Sequence, residues 1–448
     1  MLGTSFNLQC TDVHATTKLL RHIRTNSAAG PDDLSAFFLR NYSYSLAPNI
    51  TYIFNLSISN HTFPSLWKHA NVTPVYKKKG VKTDTGNYRP ISILPILGRL
   101  LEKIVARQLQ DHCDLNQIIP NEQFGFRKKS SCELALLAAQ DKWLQDMDSG
   151  AYVGAIMIDM AKAFDSVQHN LLLEELTTIG CSENAVNWFT SYLSNRKQRV
   201  RVGHITTPWK AISKGVPQGS SLSPLLFNIF VRKLPSVSES DCFQFADDLT
   251  NSAADMNIDN LRTKLESIYE KTKVFCQTRD LQINLTKTQL IVFKSARKRI
   301  PDNFTILLDG VSLQPVNEVK LLGVTLDRHL TMANQIDATV TKCQGLLEVL
   351  RRATVYLPEK LLKMVYTSII RSHLEYSSAL VQCAAPTHLA KLDTVQKIAS
   401  RIITNSDSRA HSAPLQTLLG LEPLDSRRKK HGDRTIRSRI IRSGPILR

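Results

Sequence analysis

The sequence lacks the cysteine arrangements that bind a structural zinc ion or form a disulfide framework. Its 448 residues include eight cysteines, which lie far apart and form no CxxC pair and no Cys/His cluster. Such spacing predicts neither a zinc site nor a set of disulfides. It is typical of proteins from a reducing, intracellular compartment.

Long apolar runs are also missing. No stretch of about 20 apolar residues occurs, so the sequence predicts no membrane-spanning helix and no membrane partner. The N-terminus lacks the basic-then-apolar pattern of a secretory signal. We therefore expect an intracellular protein that is nuclear, cytoplasmic or both.

Acidic residues are scarce relative to basic ones. The chain has 57 Lys and Arg against 39 Asp and Glu, which gives a formal net charge of +18 and a pI near 9.6. An excess of this size indicates a polyanionic partner such as a nucleic acid. Hydrophobic residues make up 42% of the chain, as in globular proteins, and the length is sufficient for two or three packed units.

Three of the few carboxylates stand at the ends of predicted strands. Asp247 and Asp248 lie between apolar residues, as in two short strands joined by a tight turn, and Asp159 ends a predicted strand over residues 153–159. An isolated Asp-Asp turn is common, because Asp tolerates turn geometry. Three acids at strand ends are unusual, since buried charge is costly without a cation.

Divalent ions remove that cost. Carboxylate oxygens are hard ligands that suit Mg²⁺, with Mn²⁺ as an alternative ion. Two ions about 3.5–4 Å apart can activate a 3′-hydroxyl and stabilise a leaving pyrophosphate. The sequence therefore predicts a nucleotidyl-transferring polymerase with two bound ions.

Hydrophobic spacing predicts helices at both ends of the chain and strands in its middle. Helical patterns cover most of residues 1–69 and continue from Met332 to near the end. Residues 70–95 are predicted as a basic, turn-rich region and residues 321–326 as one strand. Strands between helical flanks indicate the α+β class.

Seven ordered segments resemble the reverse transcriptases of non-LTR (LINE-type, jockey-like) retrotransposons, over roughly residues 25–425. The three palm motifs with the aspartates and the glutamine turn are residues 159–167, 215–224 and 245–248. The two fingers segments are residues 87–92 and 123–127, and two further palm motifs are residues 281–288 and 322–324. A set of motifs in a fixed order is far more specific than one motif.

The resemblance implies an α+β right-hand polymerase with fingers, palm and helical thumb, and an antiparallel palm sheet backed by helices. We predict a helical N-terminal extension over residues 1–69, fingers and palm over 70–325, and a thumb with a basic tail over 330–448. It implies RNA-directed DNA synthesis on an RNA template from a DNA primer with dNTPs.

The resemblance also implies a role for individual residues. Asp159, Asp247 and Asp248 would hold the ions, and Gln218 and Gly219 would lie against the incoming nucleotide and the template base. Phe164 would act as a steric gate against a ribose 2′-hydroxyl. The triphosphate would be bound by Arg89 and Lys77, and pyrophosphate would be protonated or neutralised by Lys287.

Each of these roles has a plainer alternative. Phe164 is also consistent with a core aromatic, and Lys77 and Lys287 with solvated surface charges. Phe124 and Phe126 of the second fingers segment either contact the template or pack in the core. The basic run at residues 427–430 either binds nucleic acid, serves as a nuclear-import patch or belongs to a solvated, disordered tail.

The match departs from the family in a few places. Leu321 stands where an aromatic is common, and Asp33 replaces a common Gly. We expect the chain to be the polymerase part of an element, with any endonuclease or RNA-binding protein outside it. Two other functions stay open: a catalytically silent relic that binds RNA, and an intron maturase-like splicing factor.

Overall fold

The computed structural model describes residues 5–443, which form helices at both ends of the chain and strands between them. The α-helices are α1 (Val13–Arg21), α2 (Ala36–Asn41), α3 (Ser43–Ser59), α4 (Ile96–Leu115), α5 (Cys132–Asp148), α6 (Ala163–Ser166), α7 (His169–Thr178), α8 (Glu183–Leu193), α9 (Ser223–Phe230), α10 (Leu234–Ser238), α11 (Ile258–Thr278), α12 (Ala333–Ala353), α13 (Glu359–Val365), α14 (Arg371–Glu375), α15 (Ser378–Val381), α16 (Pro386–Ile403), α17 (Ser412–Leu418) and α18 (Leu424–Ser443). The strands are β1 (His69–Tyr76), β2 (Tyr88–Ile93), β3 (Tyr152–Ala161), β4 (Arg196–Val202), β5 (Ile205–Thr206), β6 (Lys210–Ile212), β7 (Asp241–Phe245), β8 (Asp248–Asp255), β9 (Gln282–Ile283), β10 (Gln289–Phe293), β11 (Ile306–Leu308), β12 (Val311–Leu313), β13 (Pro315–Val316), β14 (Glu318–Leu321) and β15 (Val324–Asp327).

The chain folds into two compact units, each built from three separate segments. The first unit consists of residues 1–126, 159–237 and 271–284, and the second of residues 127–158, 238–270 and 285–448. These units do not test the predicted boundaries of the extension, the fingers and palm, and the thumb, which stay predictions.

The first unit contains a sheet with the strand order β2-β1-β4-β5, and β6 also pairs with β4. β1 runs antiparallel to β2 and parallel to β4. Its aromatic core centres on Phe63, whose ring makes edge contacts with Trp67, Trp188 and Tyr192 at centroid distances of 5.1–6.1 Å. Because aromatic side chains bury large apolar areas, this cluster anchors the segment before β1 to α8.

The second unit contains the sheet that carries the predicted Asp-Asp turn. Its strand order is β13-β10-β3-β8-β7, with β10 antiparallel to β3 and β8 antiparallel to β7. The ring of Trp143 on α5 stacks on Phe293 of β10 at 4.7 Å, and its indole N–H donates to the Ser252 hydroxyl of β8. A continuous apolar cluster joins α5 and this sheet to helices of the C-terminal part, from α12 to α18.

The predicted α+β class is confirmed, because the helices and sheets follow the predicted pattern. Hydrophobic spacing also predicts helices over residues 97–114, 184–193 and 256–278, and these are observed as α4, α8 and α11. Residues 198–203 and 209–213 have the pattern of a hairpin, which is observed as the antiparallel pairing of β4 with β6.

Two local predictions are wrong. Residues 70–95 are not mainly turns, since β1 and β2 lie there as a six-pair antiparallel ladder from Asn71↔Ile93 to Tyr76↔Tyr88. Residues 321–326 are not one strand, because Leu322 and Gly323 form the turn between β14 and β15 with φ of 45° and 86°. The basic composition of residues 70–95 gave no sign of the two strands there. The apolar run at residues 321–326 gave no sign of the turn that divides it.

Among the helices in residues 5–443, none is both long enough and apolar enough to cross a bilayer.

Candidate active site

The two adjacent aspartates lie at the tip of the β7–β8 hairpin. The strands pair from Asp241↔Ser252 to Phe245↔Asp248, which leaves Ala246 and Asp247 as the turn. Ala246 has a φ of 59°, the left-handed conformation that so short a turn requires. Both Asp247 and Asp248 are exposed, whereas Leu249 and Thr250 beyond them are buried. The hairpin thus presents two carboxylates from a fixed backbone.

Asp159 lies near the end of β3, which neighbours β8 in the sheet order. Its carbonyl oxygen accepts a hydrogen bond of 2.8 Å from the amide of Asn284, and Met160 pairs with Ile283 of β9. These bonds hold the end of the strand, so the position of the Asp159 backbone is set on the first unit. The predicted strand with a terminal carboxylate is therefore observed, extended by two residues to Ala161.

No metal centre is preassembled within the part of the chain that the structure describes. In that part, no three His, Cys, Asp or Glu side chains are grouped closely enough to hold an ion. The donor chemistry nevertheless suits a hard cation, because exposed carboxylate oxygens are the ligands that Mg²⁺ prefers.

The glutamine turn at residues 215–219 is held against its own unit by backbone contacts. Gly219 has a φ of 127°, and a Cβ there would lie 2.5 Å from the carbonyl oxygen of Ser92. Gly215 has a φ of 89°, and a Cβ there would lie 2.7 Å from the carbonyl oxygen of Asp165. Glycine is therefore required at both positions for the fold itself, a reason that the motif alone did not reveal.

The amide of Gln218 is oriented by a carboxylate that sequence reasoning missed. Its Nε2 donates to both carboxylate oxygens of Asp165 at 3.1 Å, while its backbone carbonyl accepts from the amide of Ser92 at 2.7 Å. Burial raises the pKa of Asp165, and the bonds from Gln218 together with the charge of Lys162 oppose that rise. The spacing of Asp165 after Asp159 carried a signal, because it places a second acid just beyond the same strand, on α6.

A buried polar network supports the same turn from behind. Glu102 is fully buried; its carboxylate accepts from the amide of Ser221 at 2.9 Å and from the hydroxyl of Tyr192 at 3.2 Å. That hydroxyl also bonds Ser220 at 2.9 Å. Burial raises the pKa of Glu102 despite the opposing charge of Arg196, which is 1% exposed. Nothing in the sequence pattern marked Glu102, since it occupies an ordinary position in an amphipathic helix.

Phe164 is half-buried between two other phenylalanines of the first unit. Its ring stacks on Phe227 at a centroid distance of 4.7 Å and an interplanar angle of 20°. The edge of Phe126 approaches it at 6.4 Å and 87°. One face of the ring is thus packed, a geometry that is compatible with both predicted roles, the steric gate and the core aromatic.

The other predicted binding residues lie on exposed loops and strand edges. Arg89 is exposed on β2 opposite Val75, and Lys77 donates through its Nζ to the carbonyl of Gly86 at 2.9 Å. Lys77 therefore ties down the loop of the β1–β2 hairpin. Lys287 is exposed between β9 and β10.

The second fingers segment divides its two aromatics between core and surface. Phe124 is 7% exposed, whereas Phe126 is 54% exposed with a φ of 56°. The side chain of Asn228 donates to the carbonyl of Gly125 at 2.9 Å and holds the segment. Core packing thus applies to Phe124, and only Phe126 is available for contact with a ligand.

The basic run at residues 427–430 lies on α18, within the second unit, and its four side chains are all in ion pairs. Arg427 pairs with Glu375, Arg428 with Asp393, Lys429 with Asp425, and Lys430 with Glu422. The alternative of a disordered, solvated tail is wrong for this run, because Arg428 is buried at 3% exposure.

Comparison with known proteins identifies the family. Residues 76–326 match the family described as reverse transcriptase (RNA-dependent DNA polymerase). The chain belongs to the reverse transcriptase family. Members of this family use divalent metal ions. The prediction drawn from the seven motifs is therefore confirmed at the level of the family, and with it the right-hand polymerase class.

Two named relatives of this reverse transcriptase come from Drosophila melanogaster. A probable RNA-directed DNA polymerase from transposon BS is 28% identical over 85% of this chain, and the RNA-directed DNA polymerase from mobile element jockey is 26% identical over 90%. Their matched parts are 43% and 45% of their own lengths, so the chain spans less than half of each. Both are polymerases of mobile elements, in agreement with the retrotransposon type that the motifs predicted.

Among solved structures, telomerase from Candida albicans aligns with 83% of this chain and 70% of that chain. The TM-score is 0.41 and the sequence identity is 12%.

Proposed function

We propose that this chain catalyses RNA-directed DNA synthesis, extending the 3′ end of a DNA primer with dNTPs on an RNA template. The observation that carries the proposal is the match of residues 76–326 to the reverse transcriptase family. Within these residues, the Asp247–Asp248 turn lies at the tip of an exposed hairpin beside β3. The net charge of +18 supports a polyanionic substrate.

Asp159, Asp247 and Asp248 would hold two Mg²⁺ ions, for which Mn²⁺ could substitute. Mg²⁺ is commonly bound by one or two carboxylates together with substrate phosphates and water, and seldom by an all-protein cage. The lack of a preassembled three-ligand group in residues 5–443 is compatible with that mode, because the dNTP would contribute the missing oxygens. The bound ions would supply activation of the 3′-hydroxyl and neutralisation of phosphate charge.

In the proposed step, the primer 3′-hydroxyl loses its proton to water, and its oxygen forms a bond to the α-phosphorus of the dNTP. The bond between that phosphorus and the bridging oxygen to the β-phosphate breaks, and pyrophosphate leaves with its electron pair. Arg89 and Lys77 would bind the triphosphate, Arg89 by a bidentate contact and Lys77 as a point charge. Lys287 would neutralise the leaving pyrophosphate. Positioning and charge stabilisation supply most of the catalysis in such a reaction.

Gln218 and Gly219 would form the wall against the base pair of the incoming nucleotide. The bond from Gln218 Nε2 to Asp165 supports this role, because it fixes the amide and leaves Oε1 as the acceptor that can face a ligand. A fixed amide loses little freedom when it binds, which favours a defined geometry at the reacting atoms.

The test of the proposal is primer extension on poly(rA)/oligo(dT) with Mg²⁺, using Asp247→Asn and the matched control Asp255→Asn. Both carboxylates are on the same hairpin, but Asp255 lies at the far end of β8 in an ion pair of 2.8 Å with Lys264. Asp247→Asn should lower the extension rate by more than the factor of about 10–100 typical of residues that only support a metal ligand. Asp255→Asn should keep most of the rate.

Two results would count against the proposal. If Asp247→Asn extends primers within tenfold of the wild-type rate, the metal-binding assignment is wrong. If the folded wild-type chain binds the RNA template but does not extend the primer, it is a silent RNA-binding protein in the form tested.

The proposed sugar specificity rests on Phe164, whose ring would clash with a ribose 2′-hydroxyl. A clash of this kind costs about 1–3 kcal/mol, which corresponds to roughly ten- to a hundredfold in rate. Phe164→Val should therefore lower the selectivity for dTTP over UTP by that factor. Phe126→Val is the control, since it removes the neighbouring exposed ring and should leave the selectivity ratio unchanged.

The measurement is steady-state insertion of dTTP and UTP opposite rA, with a melting curve for each variant. A core role for Phe164 would instead destabilise the protein and slow both nucleotides equally, because the stack on Phe227 is lost. An unchanged dTTP/UTP ratio in a folded, active variant would exclude the steric gate.

A further inference from the structure

A groove of about 460 Å³ lies between α1 and α4 in the first unit, among residues to which the family motifs assign no function. Lys18 of α1 and His22, which follows the end of that helix, form one wall, and Lys103 and Arg107 of α4 form the other. The apolar side chains of Leu19 and Ile104 also line it, and both are half-buried.

The charges of this groove are uncompensated. Lys18, Lys103 and Arg107 are exposed and make no ion pair within the described residues, and the only carboxylate in the lining is that of Asp12. Asp12 is engaged in capping α1, where it accepts the amide of Ala15 at 2.7 Å. A sphere of the groove's volume is about 10 Å across, close to the Debye length of about 8 Å at physiological salt, so the cations on the two walls repel each other. An anion in the groove would remove that repulsion.

The walls are held in place before any ligand binds. Gln108 of α4 bonds the backbone of Gln9 twice at 2.8 Å, through its Oε1 to the amide and its Nε2 to the carbonyl. Asn55 of α3 bonds the backbone of Thr11 in the same way at 2.8 and 2.9 Å. The segment that leads into α1 is therefore fixed to both α3 and α4, and a ligand would not have to order it.

The surroundings of the groove suit a nucleic acid better than an isolated phosphate ion. Between Asp33 and Asp84 the chain contains no Asp or Glu, and the helix α3 in this stretch packs against α1. Tyr44 and Tyr52 of α3 are 68% and 69% exposed, and Arg21 of α1 lies over the Tyr44 ring at 5.5 Å. Exposed aromatics among cations are the features by which proteins bind single-stranded nucleic acid through stacking and phosphate contacts.

We propose that the groove between α1 and α4 binds the phosphates of single-stranded RNA, with Lys18, Lys103 and Arg107 as the phosphate ligands and Leu19 and Ile104 as the apolar floor beneath a sugar or base. The proposal names a binding site for the RNA partner of the proposed function, and in that sense rests on it. The site is separate in sequence from the three aspartates, so RNA would be held by residues that take no part in the chemistry.

The experiment measures binding of fluorescein-labelled rA20 by anisotropy from 50 to 400 mM KCl, with EDTA present and dNTPs absent. The full chain is compared with a triple variant, Lys18→Gln, Lys103→Gln and Arg107→Gln. The control variant, Arg352→Gln, Lys360→Gln and Lys397→Gln, removes the same charge from exposed helical positions of the second unit. A second groove variant, Lys18→Arg, Lys103→Arg and Arg107→Lys, keeps the charge.

Each phosphate contact with a single strand contributes about 0.7 to the log–log salt slope. The triple variant should therefore lose about 2 from the slope and bind roughly a hundredfold more weakly at 0.1 M KCl. The control and the charge-conserving variant should retain the wild-type slope. AMP at millimolar concentration should not displace rA20.

Three outcomes would overturn the proposal. Equal losses in the triple and control variants would show a general charge effect, and an unchanged slope in the triple variant would assign the groove cations to solvent. Displacement of rA20 by AMP would identify a site for small phosphates. Because no divalent ions or dNTPs are present, a failure here is distinct from a failure of primer extension with Asp247→Asn, which tests the chemistry alone.

Discussion

Two basic regions of this chain use their charges in opposite ways. On α18, the run from Arg427 to Lys430 is neutralised by four carboxylates of its own unit. Between α1 and α4, Lys18, Lys103 and Arg107 line a groove without an ion pair in the described residues. The denser run along the sequence is the one with a structural function, and the scattered cations are the ones available to a ligand.

The difference teaches that a charge run in a sequence does not locate a polyanion site by itself. Carboxylates that neutralise α18 come from Glu375, Asp393 and Glu422, all distant in sequence or in another element. The groove collects Lys103 and Arg107 at i and i+4 on α4, a spacing that is common in amphipathic helices, and Lys18 from α1. Only the three-dimensional pairing separates the two cases.

The largest expected effect compares one arginine from each region. Arg428→Ala should lower the free energy of unfolding by about 2–4 kcal/mol, because Asp393 loses the partner of a pair in which Arg428 is 3% exposed. Arg107→Ala should change it by no more than about 0.5 kcal/mol, since Arg107 is exposed and Ala is a good helix former. Urea denaturation followed by circular dichroism measures both.

Equal losses of unfolding free energy in Arg428→Ala and Arg107→Ala would contradict the distinction between a structural run on α18 and ligand-binding cations in the groove. A loss with Arg107→Ala alone would mean that the groove, and not α18, carries the structural charges.

A smaller effect is expected at a third basic cluster, where Arg232, Lys233 and Arg279 surround Glu175 at 2.7–2.9 Å. Burial acts to raise the pKa of Glu175, but the hydrogen bonds and charges of the three cations outweigh it, and the pKa is lowered. Since the folded pKa lies below the ordinary value of 4.5, the stabilisation is fully present above pH 4.5 and is lost as the pH falls through the folded pKa.

Glu175→Gln should therefore lower the free energy of unfolding by about 2 kcal/mol at pH 7, a typical value for hydrogen bonds to a charged group. The difference from wild type should stay constant from pH 7 to about pH 5 and shrink in more acidic solution. A difference that grows as the pH falls would contradict the direction of the shift.

The smallest effect is expected at the exposed end of the basic run. Lys429 is 71% exposed in its pair with Asp425, four residues earlier on the same helix. Lys429→Ala should leave the urea midpoint within experimental error, because exposed pairs of this kind contribute little. A shift as large as that of Arg428→Ala would mean that exposure does not decide which charges of α18 matter.

The fold was predictable where hydrophobic spacing and turn residues agree. α4, α8 and α11 each carry a buried face at helical spacing, and the Asp247–Asp248 turn stands between two short apolar segments. The strands β1 and β2 were missed because each contains a proline, Pro74 and Pro90, which argues against a strand. The turn at Leu322 and Gly323 was missed because a leucine in the left-handed conformation leaves no signal in the sequence.

Sequence reasoning could predict only those residues of the candidate site that lie within a recognisable motif. The aspartates were predicted from their positions at strand ends and Gln218 from the family resemblance; they lie on a strand, a hairpin and a turn, and their roles stay predictions. Asp165, Ser92 and Glu102 were not identified, because their function depends on contacts with residues 53, 126 and 119 positions away. Their pairing is a property of the tertiary structure.

The segmented build of the two units has a consequence for synthesis on the ribosome. The first unit is complete only when β9 at Gln282–Ile283 has emerged to pair with the end of β3. At about 5–20 residues per second, roughly 8–30 s separate residue 126 from residue 284. During that interval α4 and α8 exist in the nascent chain without all of their partners, so we expect chaperones to engage it. A premature stop before residue 284 leaves neither unit whole.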